Sequence, residues 1–535
     1  MKKLKPKILL TSVFKPYCVD NRFSRKLNPM ECSHNQITRE QGVFSLRTFQ
    51  FSYGLYMIAA NINAETTVLD FPTLNKFENE LKRETYDYVG ISFIVPNFLK
   101  AKKMAETVRL LSPQSKIVLG GHGTQIEDIG SMIESDYIVR GEGIRWFRAL
   151  LGDPIDYPTK HPFIRTAFNE RYLGLPFSTK SAVVIPGVGC WNACNFCSTS
   201  HFFKKQHLHF FGTGKTIFNI MNEIEEQRKV STFFIMDENF LKNKERFLEL
   251  GGEIERAKKA WELTIFASAE ALMQYDLDWL AKIGVSTIWM GVESKFSIYP
   301  KNRSVDFKKL AEELHKRGIV TIFSSILFLD CHNKNNIFED IDFTLSLKPD
   351  LTQFMIYIPA PGTDLYSEKK RKNELLNVPY EDRHGQYQIC HKHPNFSLLE
   401  SERILVDAFK KDYHELGPSI YRVFAKCLLK YSFIKNSGKI DPIMLTRMKQ
   451  ARRSLCVYSP ALLAMEFFAP NRTVKMKMKM LRKNINKEIG VFKSLLFLPL
   501  SLVVFLSLSI TFFRYNVLKT SIEPRTSKAK YGTDH

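Results

Sequence analysis

The chain lacks the cysteine pattern of a disulfide-stabilised protein. Its 535 residues contain nine cysteines, an odd number, and most of these occur singly, at Cys18, Cys32, Cys331, Cys390, Cys427 and Cys456. Small secreted scaffolds instead carry an even set of cysteines that form a disulfide framework. We therefore expect the body of the protein to lie in a reducing cytoplasm.

Signatures of nucleic-acid binding are also missing. The formal net charge of +22 would attract any polyanion. However, no basic stripe interleaved with aromatic residues occurs, and no familiar nucleic-acid-binding motif is found. The sequence therefore predicts no nucleic-acid partner, and the excess of basic charge needs another explanation.

Three of the cysteines stand close together, in the run Gly187-Val-Gly-Cys-Trp-Asn-Ala-Cys-Asn-Phe-Cys. A four-iron cluster that serves only electron transfer takes four cysteine thiolates, whereas Cys190, Cys194 and Cys197 provide three and leave one iron open to a ligand. A zinc site completed by His201 is the alternative. Structural zinc sites usually add a distant second pair of Cys or His, and no second Cys-x-x-Cys occurs here.

The C-x3-C-x-aromatic-C motif, with Phe196 at its aromatic position, resembles the signature of the radical S-adenosylmethionine (SAM) superfamily. The resemblance implies a partial (β/α)6 barrel in which the three cysteines hold a [4Fe-4S] cluster and SAM binds the fourth iron. One electron, from a donor such as flavodoxin or ferredoxin, then cleaves SAM to a 5′-deoxyadenosyl radical. An apolar strand at Ala182 precedes the motif, and barrel active sites collect at the carboxyl ends of strands.

Six apolar runs predict the barrel strands, and polar residues follow three successive strands. These runs begin at Ala182, Thr232, Leu263, Ser286, Ile319 and Gln353. We expect the polar residues to share a pocket, although N-capping of the following helices is an alternative for each. The resemblance implies SAM contacts above all from Glu238 and Glu293. The full set of candidate SAM contacts is Phe196, Asp237, Glu238, Ser268, Glu293 and Ser294.

Residues 1–150 predict a Rossmann-like, doubly wound domain of five parallel strands. The runs V-L-G-G, ending at Gly121, and V-R-G-E-G, ending at Gly143, resemble the cobalamin-binding domain that precedes the barrel in a large branch of the superfamily. The Asp-x-His-x-x-Gly motif of many cobalamin proteins is missing, so a histidine-ligated cobalamin is not expected. Candidate cobalamin contacts are Ser92, Gly120, Gly121 and Thr124. Alternatives are glycines that merely form tight turns, or a domain retained for packing or for substrate binding.

The remaining boundaries follow from changes in pattern. Residues 151–180 are a linker, 181–370 the radical SAM barrel and 371–475 a helical cap, with apolar residues at helical intervals from Ser401 to Leu416. The cap either closes the barrel mouth over a substrate or covers apolar barrel surface. His384, His391 and His393 lie in a polar loop of this region, where a solvated role is expected.

Residues 476–535 combine a basic flank with a membrane segment at about 494–513. This segment is uncharged and, at about 1.5 Å per residue, reaches roughly 30 Å, the thickness of one hydrocarbon core. Lys and Arg are denser before it than after it, which favours a catalytic body on the cytoplasmic side, attached to the cytoplasmic membrane through lipid contacts. A buried helix and a helix lying in the interface are the alternatives.

These features predict a membrane-associated radical SAM enzyme. We expect cobalamin-dependent methyl transfer to an unactivated carbon of a small-molecule or lipid substrate. An oxidative cyclase or rearrangement enzyme is the alternative within the class. A membrane-tethered iron–sulfur redox sensor or binding protein is the alternative from another class, and it would not need carboxylates that contact SAM.

Overall fold

Two mainly parallel sheets and a carboxyl-terminal group of helices form the protein. The structure is a computed structural model. It describes every residue except 1–4, 26, 31–32, 177–179, 297–298, 303, 439–440, 491–495, 497, 519–521 and 533–535. The side chains of residues 33–34, 168–170 and 300 are also outside the description. Cys32 and the start of the predicted membrane segment, residues 494–495 and 497, lie outside the described residues.

The first part of the chain alternates strands and helices. Its elements are β1 (Lys7–Ser12), β2 (Arg47–Gln50), α1 (Tyr53–Ala59), β3 (Glu65–Asp70), α2 (Leu74–Arg83), β4 (Tyr88–Ser92), α3 (Phe98–Leu111), β5 (Lys116–Gly120), α4 (Ile129–Met132), β6 (Tyr137–Ile138) and α5 (Gly143–Leu151). Strands β3, β1, β4, β5 and β6 lie side by side in that order and run parallel.

Side chains of β1 alternate between two separate cores, one on each face of this sheet. Leu9 packs with residues of α2 and α3, whereas Ile8 and Leu10 pack with residues of α1 and α5. Alternation with period two on a strand buried on both faces is the arrangement of a doubly wound sheet. The second core also includes Val183 and Phe234 of the barrel, so the two sheets pack against each other through it.

The second part of the chain forms the barrel. Its elements are β7 (Ile164–Arg165), β8 (Ala167–Tyr172), β9 (Leu175–Pro176), β10 (Ser181–Val184), β11 (Gly187–Gly189), α6 (Ser198–Phe202), β12 (His207–His209), α7 (Gly214–Arg228), β13 (Thr232–Ile235), α8 (Lys244–Arg256), β14 (Glu262–Phe266), α9 (Ala269–Leu272), α10 (Leu277–Ile283), β15 (Val285–Glu293), α11 (Phe307–Lys316), β16 (Val320–Leu327), α12 (Asn336–Ser346), β17 (Leu351–Ile356) and α13 (Asp364–Arg371).

The barrel sheet has the strand order β17-β16-β15-β14-β13-β10-β7. The six strands from β10 to β17 are parallel, and the short strand β7 pairs antiparallel with β10 at the edge. These six strands coincide with the six apolar runs of the sequence, so the predicted α/β fold class, a doubly wound domain followed by a partial barrel, is confirmed. Strands β8 and β9 join β2 in a separate three-stranded sheet.

Helices then follow one another to the last strand. They are α14 (Leu398–Leu416), α15 (Ser419–Asn436), α16 (Pro442–Met465), α17 (Arg472–Ile489) and α18 (Leu498–Asn516), and the last strand among the described residues is β18 (Ser527–Tyr531). Helix α14 begins with a capping box in which Ser397 and Glu400 satisfy each other's backbone N–H groups. Among the described residues, α18 is the one helix long and apolar enough to cross a membrane, by length and composition.

Strand β18 returns the chain to the first sheet. It pairs antiparallel with the edge strand β3, from Ser527 opposite Asp70 to Tyr531 opposite Thr66. Nothing in the sequence pattern predicts this strand. The first sheet therefore has six strands rather than the five expected, and the last one comes from the far end of the chain.

Candidate functional site

A cavity of about 580 Å³ opens at the carboxyl ends of the barrel strands, and the three motif cysteines line it. Cys190, Cys194 and Cys197 lie on the loop between β11 and α6. All three are partly exposed to solvent and form no disulfide. The sequence motif thus becomes three free thiols on one wall of a single cavity.

The hairpin formed by β11 and β12 holds the amino-terminal side of this loop. Gly189, which precedes Cys190, pairs with His207 across the hairpin and has φ +87°. A Cβ at this position would lie 2.3 Å from the carbonyl oxygen of Gln206, so only glycine fits here without a backbone shift.

Hydrogen bonds fix the shape of the cysteine loop. The N–H of Cys197 donates to the carbonyl of Cys194 at 3.0 Å, and Ser200 Oγ donates to the carbonyl of Cys190 at 2.7 Å. Asn195 links the loop to the last barrel strand, because its Nδ2 donates to Tyr357 Oη at 3.1 Å. The backbone that presents the thiols is therefore held in place by the protein alone.

Burial raises the pKa of the Cys190 thiol to about 11, and it also raises the pKa of Cys194 and Cys197. Thiols of this kind become thiolates when a metal centre supplies positive charge. The donor set thus fits an iron–sulfur cluster, which takes thiolate ligands.

The zinc alternative lacks a complete ligand set. His201 donates or accepts at both ring nitrogens within the protein, since Nδ1 lies 2.9 Å from the carbonyl oxygen of Cys197 and Nε2 lies 3.2 Å from the backbone nitrogen of Asp364. In the part of the chain that the structure describes, no group of three or more His, Cys, Asp or Glu side chains is arranged to hold one metal ion.

Glu238 brings a carboxyl group to the cavity, and one of its oxygens, Oε2, is buried. It follows β13, lines the same cavity as the cysteines, and its Oε2 has no hydrogen-bond partner among the described residues. Burial raises its pKa to about 8. A buried acceptor without a donor is costly, so this atom fits a ligand that brings an N–H or O–H group.

Glu293 forms an ion pair with Lys301, a residue that sequence reasoning missed. Both line the cavity. Burial lowers the pKa of Lys301, but the charge of Glu293 outweighs this effect and holds the pKa above its ordinary value. Glu293 also has a left-handed backbone, with φ +63°. A lone lysine in a loop of a basic chain carries no sequence signal that would have identified it.

The other SAM candidates divide into two groups. Phe196 and Ser268 line the cavity, and Ser268 exchanges hydrogen bonds with the side chain of Asn239. Asp237 and Ser294 are not in the cavity wall. Asp237 is 1% exposed and its carboxylate faces His207 and Arg246, while Ser294 Oγ accepts from the N–H of Phe296.

A second cavity, of about 570 Å³, lies at the carboxyl edge of the first sheet. Ser92, Gly120 and Gly121 line it. Thr124 does not, because its hydroxyl is buried and donates toward the carbonyls of Gly121 and Val139. A Cβ at Gly120 would have no protein atom within 4 Å. The backbone thus leaves room for a bulky ligand at this strand end.

His122 stands between the two cavities. It lines both of them, together with Ile94, and its ring stacks on Phe202 with a centroid separation of 4.5 Å. Burial lowers its pKa to about 4, so the ring is neutral at pH 7. His122 and Ile94 are therefore walls that the two cavities share. Sequence analysis did not identify His122.

The helical region supplies part of the first cavity. Arg383, His384 and Gly385 reach it from the segment between α13 and α14. The solvated role expected for the histidines of this segment is wrong for His391 and His393, which are 0% and 9% exposed. The polar composition of the loop misled the prediction, because the segment folds against the barrel rather than into solvent.

Comparisons with known proteins agree with this architecture. No protein-family model matches the chain. Over 354 residues it is 23% identical to an anaerobic magnesium-protoporphyrin IX monomethyl ester cyclase of Cereibacter sphaeroides, covering 58% of this chain and 57% of that protein. The cyclase of the same name from Rubrivivax gelatinosus is 23% identical, covering 54% of this chain and 60% of that protein.

A third relative is a methyltransferase. Bacteriochlorophyllide d C-12(1)-methyltransferase of Chlorobaculum tepidum is 24% identical over 317 residues, which cover 53% of this chain and 66% of the relative. The chain thus spans less than two thirds of the length of each of these curated relatives.

Solved structures share the fold. The radical SAM methyltransferase TsrM from Kitasatospora setae, with cobalamin and a [4Fe-4S] cluster bound, matches with a TM-score of 0.54 at 14% identity, covering 84% of this chain and all of that chain. TsrM with tryptophan and a SAM analogue bound matches with a TM-score of 0.52 at 12% identity, covering 84% and 99%. These matches confirm the predicted resemblance at the level of the fold: the chain shares the architecture of a radical SAM methyltransferase whose solved structure holds cobalamin.

Proposed function

We propose that this protein is a radical SAM enzyme that uses cobalamin to transfer a methyl group to an unactivated carbon. The observation that carries the proposal is the pair of adjoining cavities. One is lined by the three free thiols and by a buried carboxyl group without a partner, the other by the open strand ends of a doubly wound sheet, and His122 lines both.

Cys190, Cys194 and Cys197 would hold a [4Fe-4S] cluster. When bound, the cluster delivers the electron that cleaves SAM to a 5′-deoxyadenosyl radical, and cobalamin supplies the methyl group. The protein positions the thiols through the hairpin and loop hydrogen bonds, so that little rearrangement accompanies cluster binding.

Two carboxyl groups suit the polar parts of SAM. The unpartnered Oε2 of Glu238 can accept from the amino group, and Glu293 can accept from the ribose hydroxyls. Lys301, paired with Glu293, adds a buried positive charge that suits the SAM carboxylate. Phe196 offers a flat apolar surface for the adenine, since its ring already packs edge-on against Tyr299 and Tyr357.

The second cavity is the proposed cobalamin site. Its wall is mostly apolar, and Gly120, where a Cβ would have no protein atom within 4 Å, lets a large planar ligand approach the ends of β4 and β5. No Asp-x-His-x-x-Gly motif precedes residue 150, so the corrin would be held there without the usual histidine ligand.

A substrate would occupy the rest of the first cavity. Its lining includes apolar side chains, Trp289, Ile326 and Met355, and a polar pair in which Ser324 Oγ donates to Gln353 Oε1 at 2.5 Å. This composition suits a largely apolar small molecule or lipid with one polar group. The apolar wall also limits the access of water to a radical.

Oxidative cyclisation is the second candidate reaction. The two relatives named as cyclases match the chain at the same level of identity as the methyltransferase. A redox sensor without turnover is disfavoured, because it would not need a buried carboxyl group whose free oxygen faces the cysteine cavity.

We further place the catalytic body on the cytoplasmic side of a membrane, attached through the carboxyl-terminal apolar segment. Helix α18 and the basic helix before it support this attachment.

Protein purified without oxygen tests the proposal. Iron, acid-labile sulfide and corrinoid are measured per chain, before and after reconstitution. The proposal predicts about four irons and stoichiometric corrinoid. Four irons without any corrinoid would overturn the methyl-transfer mechanism, and zinc in place of iron would overturn the enzyme class.

A further inference from the structure

Helix α18 is docked on the protein along one face. Val504 and Leu508 are 2% and 0% exposed and join the core formed by α15, α16 and α17. Ser507 Oγ donates to the carbonyl of Leu173 at 2.9 Å, beside Gly174, where an added Cβ would lie 2.3 Å from Thr511 Oγ1. The helix is thus seated in a fitted site on the catalytic body.

The other face of α18 is apolar and exposed. Seven of its large hydrophobic side chains are about half exposed or more: Leu498, Leu502, Val503, Leu506, Ile510, Phe512 and Phe513. Isolated exposed hydrophobics are ordinary, but a continuous set of this size marks an interaction surface.

The chain after α18 is tied to the first domain. Strand β18 extends the first sheet through β3, and Lys528 Nζ lies 2.6 Å from a carboxylate oxygen of Glu80. The carboxylate of Glu523 accepts from the backbone N–H groups of Tyr17 and Cys18, both at 2.8 Å. These contacts hold the end of the chain on the same body as the active site.

This attachment is incompatible with a helix that spans a bilayer. A spanning α18 would deliver residue 517 to the far side of about 30 Å of hydrocarbon, whereas β18 starts at Ser527 on the near side. The ten residues 517–526, which carry charges at Lys519, Glu523 and Arg525, would then have to cross the bilayer a second time. They would do so as neither a helix nor a closed barrel, and the cost of leaving backbone groups unpaired in hydrocarbon forbids this.

Basic charge borders the exposed apolar face. Phe467, 67% exposed, packs against Phe505 of α18 with ring centroids 5.4 Å apart, and Lys475 Nζ lies 5.8 Å from the ring centroid of Phe467. Lys475 begins a stripe on α17 that continues at Lys479 and Lys483, spaced four residues apart and exposed. An apolar face beside a lysine stripe matches an anionic lipid surface.

We propose that α18 lies in the plane of an anionic membrane surface, with its exposed face among the lipid tails and with both α17 and β18 on the cytoplasmic side. This rests on the membrane attachment proposed above and specifies its form: the protein is monotopic. The barrel mouth then keeps one fixed orientation to the bilayer. This follows because α18 itself packs on the catalytic body, and because the chain before it and the chain after it are held on the same body.

Flotation with phosphatidylcholine vesicles, with and without phosphatidylglycerol, tests the lipid contact in the full chain. We expect wild-type protein to float with the anionic vesicles, and the double substitution Leu502→Glu/Leu506→Glu to lower the floated fraction about ten-fold. Leu110→Glu, the same change at a 79% exposed leucine of α3, should float like wild type.

Failure of the wild type to float on any vesicle would overturn the attachment itself. Undiminished flotation of Leu502→Glu/Leu506→Glu would leave attachment intact but remove α18 as its cause. If wild type instead elutes as a dimer that the same double substitution dissociates, the exposed face is a contact between two copies of the chain, and the proposal is wrong.

Cysteine labelling tests the topology separately. Lys530, exposed on β18, is changed to cysteine, and sealed vesicles with the cytoplasmic face outward are treated with a membrane-impermeant maleimide. We expect one label more than in wild type without detergent, alongside the native exposed Cys331. Labelling at residue 530 only after detergent, in protein that still binds vesicles, would establish a spanning helix and overturn the in-plane arrangement.

Discussion

The carboxylate of Asp237 accepts a hydrogen bond from His207 Nε2 at 3.0 Å, which ties the end of β13 to the hairpin that carries the cysteine loop. Arg246 of α8 donates to the same carboxylate oxygen at 2.7 Å. Despite the opposing effect of burial, hydrogen bonding from His207 and the charge of Arg246 hold the pKa of Asp237 below its ordinary value. Asp237 is therefore a positioning residue for the cysteine loop.

Removing this carboxylate should destabilise the protein and loosen the loop. Asp237→Ala leaves Arg246 and His207 buried without their acceptor. We expect this to lower the free energy of unfolding, measured by urea denaturation, by about 3–5 kcal/mol. We also expect the variant to retain less iron. Asp278→Ala breaks an ion pair whose carboxylate is 61% exposed and should cost less than about 1 kcal/mol. Equal losses from both substitutions would contradict the positioning role.

Each motif cysteine should be necessary for the cluster and dispensable for the fold. Cys190→Ala, Cys194→Ala and Cys197→Ala should each reduce iron from about four per chain to a small residue and abolish SAM cleavage. Circular dichroism should stay unchanged, because the protein's own hydrogen bonds hold the loop. The control is Cys331→Ala, at an exposed cysteine elsewhere. Full iron content in all three variants would refute the cluster assignment.

Glu238 should make the stability of the cluster-free protein fall as the pH rises. Burial raises its pKa from 4.5 to about 8, so the folded state keeps the proton that the unfolded state has lost. The contribution of Glu238 to the free energy of unfolding is therefore fully present below about pH 4.5, and it is lost progressively as the pH rises to about 8. Urea unfolding at about pH 5 and about pH 8 measures it.

Glu238→Gln should remove that part of the pH dependence, since the amide stays neutral throughout. It should also weaken SAM binding to the reconstituted protein, because the amide cannot take the negative charge that pairs with the amino group of SAM. Glu270→Gln, at a carboxylate in the first turn of α9 that pairs with Lys242, serves as the matched control. Identical pH profiles of wild type and Glu238→Gln would show that Glu238 is not the titrating group.

Filling the second cavity should exclude cobalamin without disturbing the fold. Gly120→Val adds a side chain where no protein atom lies within 4 Å, so we expect normal thermal stability and corrinoid binding weakened by about ten-fold or more. Gly252→Val makes the same change at an equally open glycine on α8, outside the cavity. Undiminished corrinoid binding by Gly120→Val would place the corrin elsewhere.

Local periodicity and one motif were enough to predict the architecture. The strands are buried on both faces and read as apolar runs, so β1, β3 to β6 and the six parallel barrel strands were recognisable. The spacing of Cys190, Cys194 and Cys197 identified the loop because the ligands of one cluster lie within a few residues of each other. Features that depend on residues close together in the sequence can be predicted without a structure.

Features that depend on contacts between distant parts of the chain could not be predicted from the sequence. Strand β18 is a short basic segment whose partner β3 lies more than 450 residues earlier, so neither composition nor alternation identifies it. Lys301, His122 and His384 reach the cavity through loops, where sequence carries no periodicity. Asp237 has the sequence position of a ligand contact, yet its Oδ2 is occupied by two buried protein partners, His207 of the hairpin and Arg246 of α8.

The most direct test of the central claim is SAM cleavage by reduced, cluster-loaded protein. Wild type and Cys194→Ala are incubated with SAM and dithionite without oxygen, and 5′-deoxyadenosine is quantified. The account predicts release of 5′-deoxyadenosine by wild type and none above background by Cys194→Ala. Intact SAM after incubation with wild-type protein that holds a full complement of iron and binds SAM would contradict it.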